Sequence, residues 1–552
     1  VDTAIEFLET EGRFSAGSFV PRRSTRDQVS QISGRTIPMS IPLPRVQLIL
    51  LAASLLLLGG CAGRTLREIA QHDWKVGPEY VTPPASVADD WIDSTNPRLD
   101  RSRSPDARWW ENFGDPVMNQ LVELAYSQNL TLREAGWRIE EARALRDVVA
   151  GSLYPQMQQV QGDYVRTHRS TETALFPPID PSSPFANLAR TEFSNWRIGG
   201  SLAWELDFWG RYRRAIESAD ARLESTFDHF NDAILLLFSE VATTYIELRT
   251  VEQRLDVART NLKLQEESAR VAQARLDARA QNSELDTPQA KANLYNTRGV
   301  IEAIEIQRRQ VENRLCVLLG IPPQQLSDLL GASAGIPLAP QSVAVGIPAE
   351  LLRRRPDVRR AERLVAAQSA QIGVAESDLY PRISLAGSLG WEAKSFSDMF
   401  NGSAFSGAIG PGFRWAVLNY GRLMSNVLAE DARFQQLVAN FQQTVLRANE
   451  EAENALVAYQ HYLEQIKARE ESVRQAEEAQ RVAQIKYLEG EIDFNRLFTV
   501  QQLLLNQQEL LAVARGNSAR AVVELYRALG GGWDGSVPEL PYEEEVQPPV
   551  SN

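Results

Sequence analysis

Cysteine is nearly absent from this chain of 552 residues, with only Cys61 and Cys316, and histidine is limited to His72, His168, His229 and His461. That leaves almost nothing for a disulfide framework or a Cys/His metal site, which needs several such ligands at close spacing. A surplus of positive charge is also missing. Lys and Arg number 58 against 71 Asp and Glu, a net charge of -13, and this argues against a nucleic-acid surface, where phosphates require clustered cations. No apolar run reaches the roughly 20 residues of a comfortable transmembrane helix. With 43% hydrophobic and 23% charged residues, the chain is neither disordered nor a polytopic helical membrane protein, and it can bury a large core. Function must then come from shape, location or carboxylates.

The one long apolar run, Val46 to Gly60, is preceded by Arg45 and ended by Cys61. This is the charged, apolar and small-residue order of a secretory signal. Leu58-Gly59-Gly60-Cys61 resembles a bacterial lipobox, so a diacylglycerol and an N-acyl chain are expected on Cys61. Met39 is the only methionine before Cys61, and starting there gives a signal of ordinary proportions. Residues 1–60 are accordingly expected to be leader and signal peptide, with the true start at Met39. Ala62 replaces the Asp that marks retention at the inner membrane in similar lipoproteins, which favours transfer to the outer membrane.

The rest of the chain repeats itself. Leu153-Tyr154-Pro155 recurs as Leu379-Tyr380-Pro381, Gly210-Arg211 as Gly421-Arg422, and Leu319-Gly320 as Leu529-Gly530. The first pair is spaced more widely than the other two, which places a loop insertion at about 165–192, around Pro177, Pro178, Pro181 and Pro184. Each half reads as helix, two strands, very long helix, helix. From about Arg213 to Ala280 and from about Leu423 to Glu489 there is neither proline nor glycine, so each stretch predicts one helix of roughly 100 Å at 1.5 Å per residue. Within the first, apolar or small residues at 251, 255, 258, 262, 269, 272 and 276, broken only by Gln265, have coiled-coil spacing. Shorter helices near 118–152 and 286–319 are expected to stack end to end beside it.

The strands carry a period of two. Ile198, Gly200, Leu202, Trp204 and Leu206 alternate, as do Ile383, Leu385, Gly387, Leu389 and Trp391, then Ile409, Phe413, Trp415 and Val417. Ser201, Ala203, Glu205, Ser384, Ser388 and Arg414 fall on the opposite face. About ten residues with one apolar and one small or polar face fit a transmembrane β-barrel; a soluble sheet packed on the helices is the plainer alternative. Four strands per chain cannot close, and an open edge has no place in hydrocarbon. Three copies would supply twelve strands.

Several stretches resemble the outer membrane factor family, the TolC-like and OprM-like exit ducts of tripartite efflux systems. The clearest runs from Gly346 through Arg355-Pro356-Asp357 and Ala361-Glu362-Arg363 to Gln371-Ile372-Gly373-Val374-Ala375. Val76-Gly77-Pro78-Glu79-Tyr80, Trp109-Trp110, Phe113-Gly114-Asp115-Pro116 and Trp204-Glu205-Leu206-Asp207 are also similar. The resemblance implies a mainly α chain with a small transmembrane β part. It further implies a homotrimer with a 12-stranded β-barrel in outer membrane lipid, a long periplasmic α-helical barrel and an equatorial belt. On that plan 61–115 and 321–350 serve the belt, 116–320 and 351–532 are the two repeats, and 533–552 is an acidic disordered tail. The implied partners are a periplasmic adaptor (membrane fusion) protein and an inner-membrane transporter of the resistance-nodulation-division type. The implied function is passive conduction to the exterior of a Gram-negative cell.

The tip turns are expected at Asp277 to Asp286 and Leu488 to Asn495. In the family this end is narrowed by side-chain rings, often aspartate with a hydrophobic residue one turn before it. Here Thr499 occupies the usual acidic position and Asn495 the hydrophobic one. Asp493 and Glu491 are the nearby carboxylates that could serve instead, with Arg496 and Tyr487 as partners; solvated turn charges are the plainer reading. Cys316, among Leu315, Val317, Leu318 and Leu319, is expected to be a buried thiol. Glu450, Glu451 and Glu453 are expected on a solvated helix face, and Gly530-Gly531-Gly532 as a helix C-cap. No catalytic site, metal site or other cofactor is expected. A non-conducting coiled-coil adaptor lipoprotein and a duct for type I protein secretion remain as alternatives.

Overall fold

A computed structural model describes residues 74–103, 106–168, 170, 182, 192–278, 283–331 and 335–532, all within the compact unit Arg67–Asn552. The leader, Met39, Cys61, the acidic tail and most of the expected insertion lie outside the described residues. So do four residues of the first tip turn.

The two long helices form as the sequence predicts. Helix α3 spans Arg211–Asp277 and α8 spans Arg422–Glu489, 67 and 68 residues, each about 100 Å long. Both begin at a glycine with positive φ, Gly210 and Gly421, which is the repeated Gly-Arg pair. Beside α3 lie α2 (Leu130–Gly151) and α4 (Ser283–Leu318) on one flank, and α7 (Pro356–Ser377) and α9 (Phe494–Ala528) on the other; α8 packs on α7 and α9. Four helical strands thus run side by side, two continuous and two made of stacked halves.

The expected helix near 118–152 is in fact two, α1 (Pro116–Gln128) and α2, broken at Asn129. Asn129 caps α2 by accepting from Leu132 N, and its amide donates to Leu318 O at the end of α4, both at 2.9 Å. The break is therefore the joint at which α2 stacks on α4. The second repeat makes the same joint differently: Arg355, just before α7, donates from Nη1 to Ala528 O at the end of α9 (2.9 Å). The repeated Leu-Gly pair closes both. Gly320 has φ +72 and a Cβ there would sit 2.3 Å from Gln128 O, while Gly530 has φ +70 and abuts Arg355. Gly114 also has positive φ, but faces open space. Gly320→Ala should consequently lower the thermal midpoint well beyond Gly114→Ala, whose loss is only the backbone term of about 1–2 kcal/mol. Equal losses would show that the joint at Gly320 yields.

The two segments expected in the belt meet through a parallel pair, β1 (Leu99–Asp100) with β4 (Val343–Ala344), the latter between the short helices α5 (Ser327–Leu330) and α6 (Pro348–Arg354) in chain order. The core lies beneath them. Trp109 stacks on Tyr526 at 5.6 Å and Trp110 meets Phe238 edge-on at 4.8 Å. A polar chain crosses this core: Asp115 caps α1, Tyr245 donates to Asp115 (2.9 Å), and Arg249 donates to Tyr245 (3.1 Å), Glu252 (2.8 Å) and Leu330 O (2.9 Å). Cys316 is buried here, its thiol near Gln324 O. Of the three glutamates expected on a solvated face, Glu450 and Glu451 are exposed, while Glu453 is half-buried because the N-terminal belt segment lies over it. Glu451 pairs with Arg355 (2.7 Å), and Glu453 accepts from Ile92 N (3.0 Å).

The family-like motifs at the N-terminus and in α7 fit one another. Gly77, at φ +91, lies so near Gly373 that a Cβ on it would be 2.3 Å from Gly373 Cα. The buried Arg214 holds the strap by donating to Val76 O, Gly77 O and Glu79. Farther along, Tyr80 and Thr82 both donate to Glu362.

Candidate functional site

At one end of the long helices the chain forms a four-stranded antiparallel sheet, in the order β2 (Met157–His168), β3 (Glu192–Leu206), β5 (Arg382–Ala393), β6 (Phe405–Arg414). Its register sorts the side chains by face. Val160, Gly200, Leu389 and Gly407 lie in one row; Gly162, Ile198, Trp391 and Phe405 in another; Leu206, Ile383 and Phe413 in a third. The other face carries Gln159, Ser201, Ser388 and Ala408, then Asp163, Arg197 and Glu392, and Arg382 with Arg414. Large apolar residues on the first face are uncovered: Val160 is 83% exposed, Ile409 and Phe413 77% each. A face of this kind belongs in hydrocarbon, with the polar face on an aqueous lumen. The outer strands β2 and β6 each have one edge unpaired among the described residues.

Strand β6 stops at Arg414, short of the expected Trp415 and Val417. The indole of Trp415 donates instead to Leu379 O (3.0 Å), as Trp204 does to Leu153 O (3.1 Å) in the first repeat. Both repeated Leu-Tyr-Pro turns are thereby tied to the end of a strand.

The far tip consists of the turns between α3 and α4 and between α8 and α9. Gly490, at φ +81, caps α8, and Asp493 caps α9 by accepting from Arg496 N (2.8 Å). Of the residues predicted to line a gate, Glu491, Asp493, Asn495, Arg496 and Thr499 are exposed. Glu491 pairs with Lys486 (3.4 Å), and the Thr499 hydroxyl donates to Asn495 O (2.8 Å). Within one chain Arg496 meets Asp493 only through its backbone N–H. Tyr487 is different, being 1% exposed. Its hydroxyl donates to the buried Asp286 at a long 3.4 Å. Arg275 donates to Tyr487 O (3.0 Å) and sets its guanidinium 4.8 Å from the ring centroid, a cation–π contact. Burial, reinforced by Asp286, pushes the phenol up to about 12, so it stays a donor at any physiological pH. Tyr487, Asp286 and Arg275 belong to three different helices and latch the two helical hairpins together.

The family model described as outer membrane efflux protein matches residues 121–321 and 347–531, nearly the two repeats. This chain belongs to that family. It is 31% identical over 441 residues to the pyoverdine export outer membrane protein OpmQ of Pseudomonas putida, covering 79% of this chain and 90% of that one. It is 29% identical over 461 residues to Nodulation protein T of Rhizobium leguminosarum bv. viciae, covering 83% and 90%. Among solved structures, the outer-membrane channel OprN is 33% identical with a TM-score of 0.75, covering 83% of this chain and 99% of that one. The chain is an outer membrane channel component of an efflux system, with a β part in the outer membrane of a Gram-negative cell and a helical barrel beneath it. Its relatives are channels rather than enzymes, and among the described residues no group of three His, Cys, Asp or Glu could hold a metal ion.

Proposed function

We propose that three copies of this efflux channel close a 12-stranded barrel through their β2 and β6 edges and conduct cargo passively. An adaptor protein and an inner-membrane transporter of the resistance-nodulation-division type deliver that cargo to the helical tip. The observation that carries this reading is the sheet with one uncovered apolar face and two open edges, since hydrocarbon offers no partner for unpaired backbone groups. Its relatives' names mention pyoverdine and toluene at comparable identity, so similarity does not select a cargo. Cys61, with its diacylglycerol and N-acyl chain, anchors the mature chain in the same membrane. A chain carrying one cysteine on β2 and a second at the facing position of β6 should cross-link into a species of three chains under mild oxidation. Cross-linked dimers alone, or no inter-chain product, would contradict the closure.

In this reading the tip is the gate, with Asp493 and Glu491 as the exposed carboxylates and the Tyr487–Asp286–Arg275 cluster as the latch behind them. Tyr487→Phe removes one donor and no charge, and should raise single-channel conductance or open probability. Asp493→Asn removes a charge while keeping the helix cap, because Asn and Asp cap about equally well, and should weaken cation preference. Unchanged reversal potentials would remove Asp493 from the pore, and unchanged gating would remove Tyr487 from the latch.

A further inference from the structure

Near the membrane end of the helices, a groove of about 660 Å³ opens over α3, bounded by α2 on one side and α7 on the other. Its lining residues all lie on these three helices and none in the sheet. At its far end two guanidiniums converge on one imidazole. Arg138 Nη1 lies 3.3 Å from His229 Nε2, and Arg360 Nη1 lies 3.4 Å from His229 Nδ1. Burial, then Arg360 and Arg138, hold His229 below its ordinary pKa, which keeps it neutral. A neutral imidazole has one acceptor nitrogen and one N–H. One of the two contacts is therefore donor against donor, and the cluster is short of an acceptor.

The charge around it leans the same way. Arg222 also lines the groove, and among the described residues no carboxylate lies within ion-pair distance of Arg222 or Arg360. Arg138 is paired with Glu134 (2.7 Å) and Arg146 with Asp220 (2.8 Å), which leaves Glu141 as the one carboxylate on the wall. Toward the membrane the wall turns apolar, through Leu145, Val148, Leu223 and Leu364. Leu145 and Val148 are largely exposed. A volume of this size is usual for a small-molecule site.

We propose that this groove binds a small organic anion: its phosphate or carboxylate head takes the donors of Arg138, His229, Arg360 and Arg222, and its apolar body lies along Leu145, Val148, Leu223 and Leu364. The bound anion bridges α2, α3 and α7 and so stiffens the helical barrel next to the membrane. An oxyanion accepts from several guanidinium N–H groups at once and resolves the donor–donor contact at His229.

The test is equilibrium dialysis of 1-naphthyl phosphate against the full-length oligomer in a neutral detergent, with protein-free micelles as the blank. Saturable binding at one site per chain is expected. Arg360→Gln and Arg222→Gln, both at exposed side chains, should each weaken it by about tenfold, the size of one charge-assisted hydrogen bond, with the oligomer's mass and thermal midpoint unchanged in the absence of probe. Inorganic phosphate, which lacks the apolar body, and 1-naphthol, which lacks the anion, should bind much more weakly. Undiminished binding by both variants would overturn the proposal, as would equal binding of either half-probe.

Discussion

Ile409→Arg is expected to prevent the chain from folding into a bilayer, while Ala408→Arg, one residue away, is tolerated. The two are adjacent in β6, but their side chains point to opposite faces of the sheet: Ile409 pairs with Gly387, and Ala408 with Ser388 beside Ser201 and Gln159. By the rule for soluble proteins, substituting a residue 77% exposed changes stability by about 0.5 kcal/mol or less. On the lipid face of a membrane barrel, an arginine near the midplane costs about 2–4 kcal/mol per chain. Ile409 lies in the middle of a strand that spans Phe405–Arg414, so the larger figure applies. Folding yield into liposomes, followed by the shift to the heat-resistant form on gels, separates the two expectations. Equal yields for both variants would mean that the apolar face does not meet lipid.

Arg249→Ala is expected to have the largest effect on stability in the belt. Its side chain is 1% exposed and serves three acceptors on three different groups. Removing one partner of a buried charged network costs about 3–5 kcal/mol, because the remaining groups keep their desolvation penalty without the compensating bonds. Arg249→Lys retains the charge, but a single ammonium cannot reproduce a planar fork aimed at Tyr245, Glu252 and Leu330 O. It should recover only part of the loss. Thermal unfolding of the detergent-purified oligomer measures both, and a shift of the midpoint within error for Arg249→Ala would contradict the network's role. Loss of Arg249 also frees Tyr245, whose phenol is pushed up to about 12 chiefly by burial, from the chain that reaches the cap of α1.

Much of this architecture is legible in the sequence because the repeats punctuate it. The Gly-Arg, Leu-Gly and Leu-Tyr-Pro pairs each mark a joint where a helix starts, two helices stack, or a helix gives way to a strand. Strand β2 was harder to place by residue. Its sequence, Met157–His168, puts Gln158, Gly162 and Arg166 on the same face as Val160 and Tyr164, so the period of two is diluted. The break at Asn129 is likewise faint, since asparagine is tolerated within helices and only the stacked α4 makes it a cap. The tip shows the sharper limit. Glu491, Asp493 and Thr499 are visible as a local cluster, but the latch joins Tyr487 to Asp286 across 201 residues. Sequence spacing places both at the tip without showing that they touch; only the packing of α4 against the end of α8 does that.

Several copies of this chain together form the proposed membrane duct. Planar-bilayer conductance of the purified protein, with its mass in detergent fixed beforehand, tests that most directly. Discrete channel events from a species of three chains are the predicted result, and a water-soluble, non-conducting monomer would contradict it.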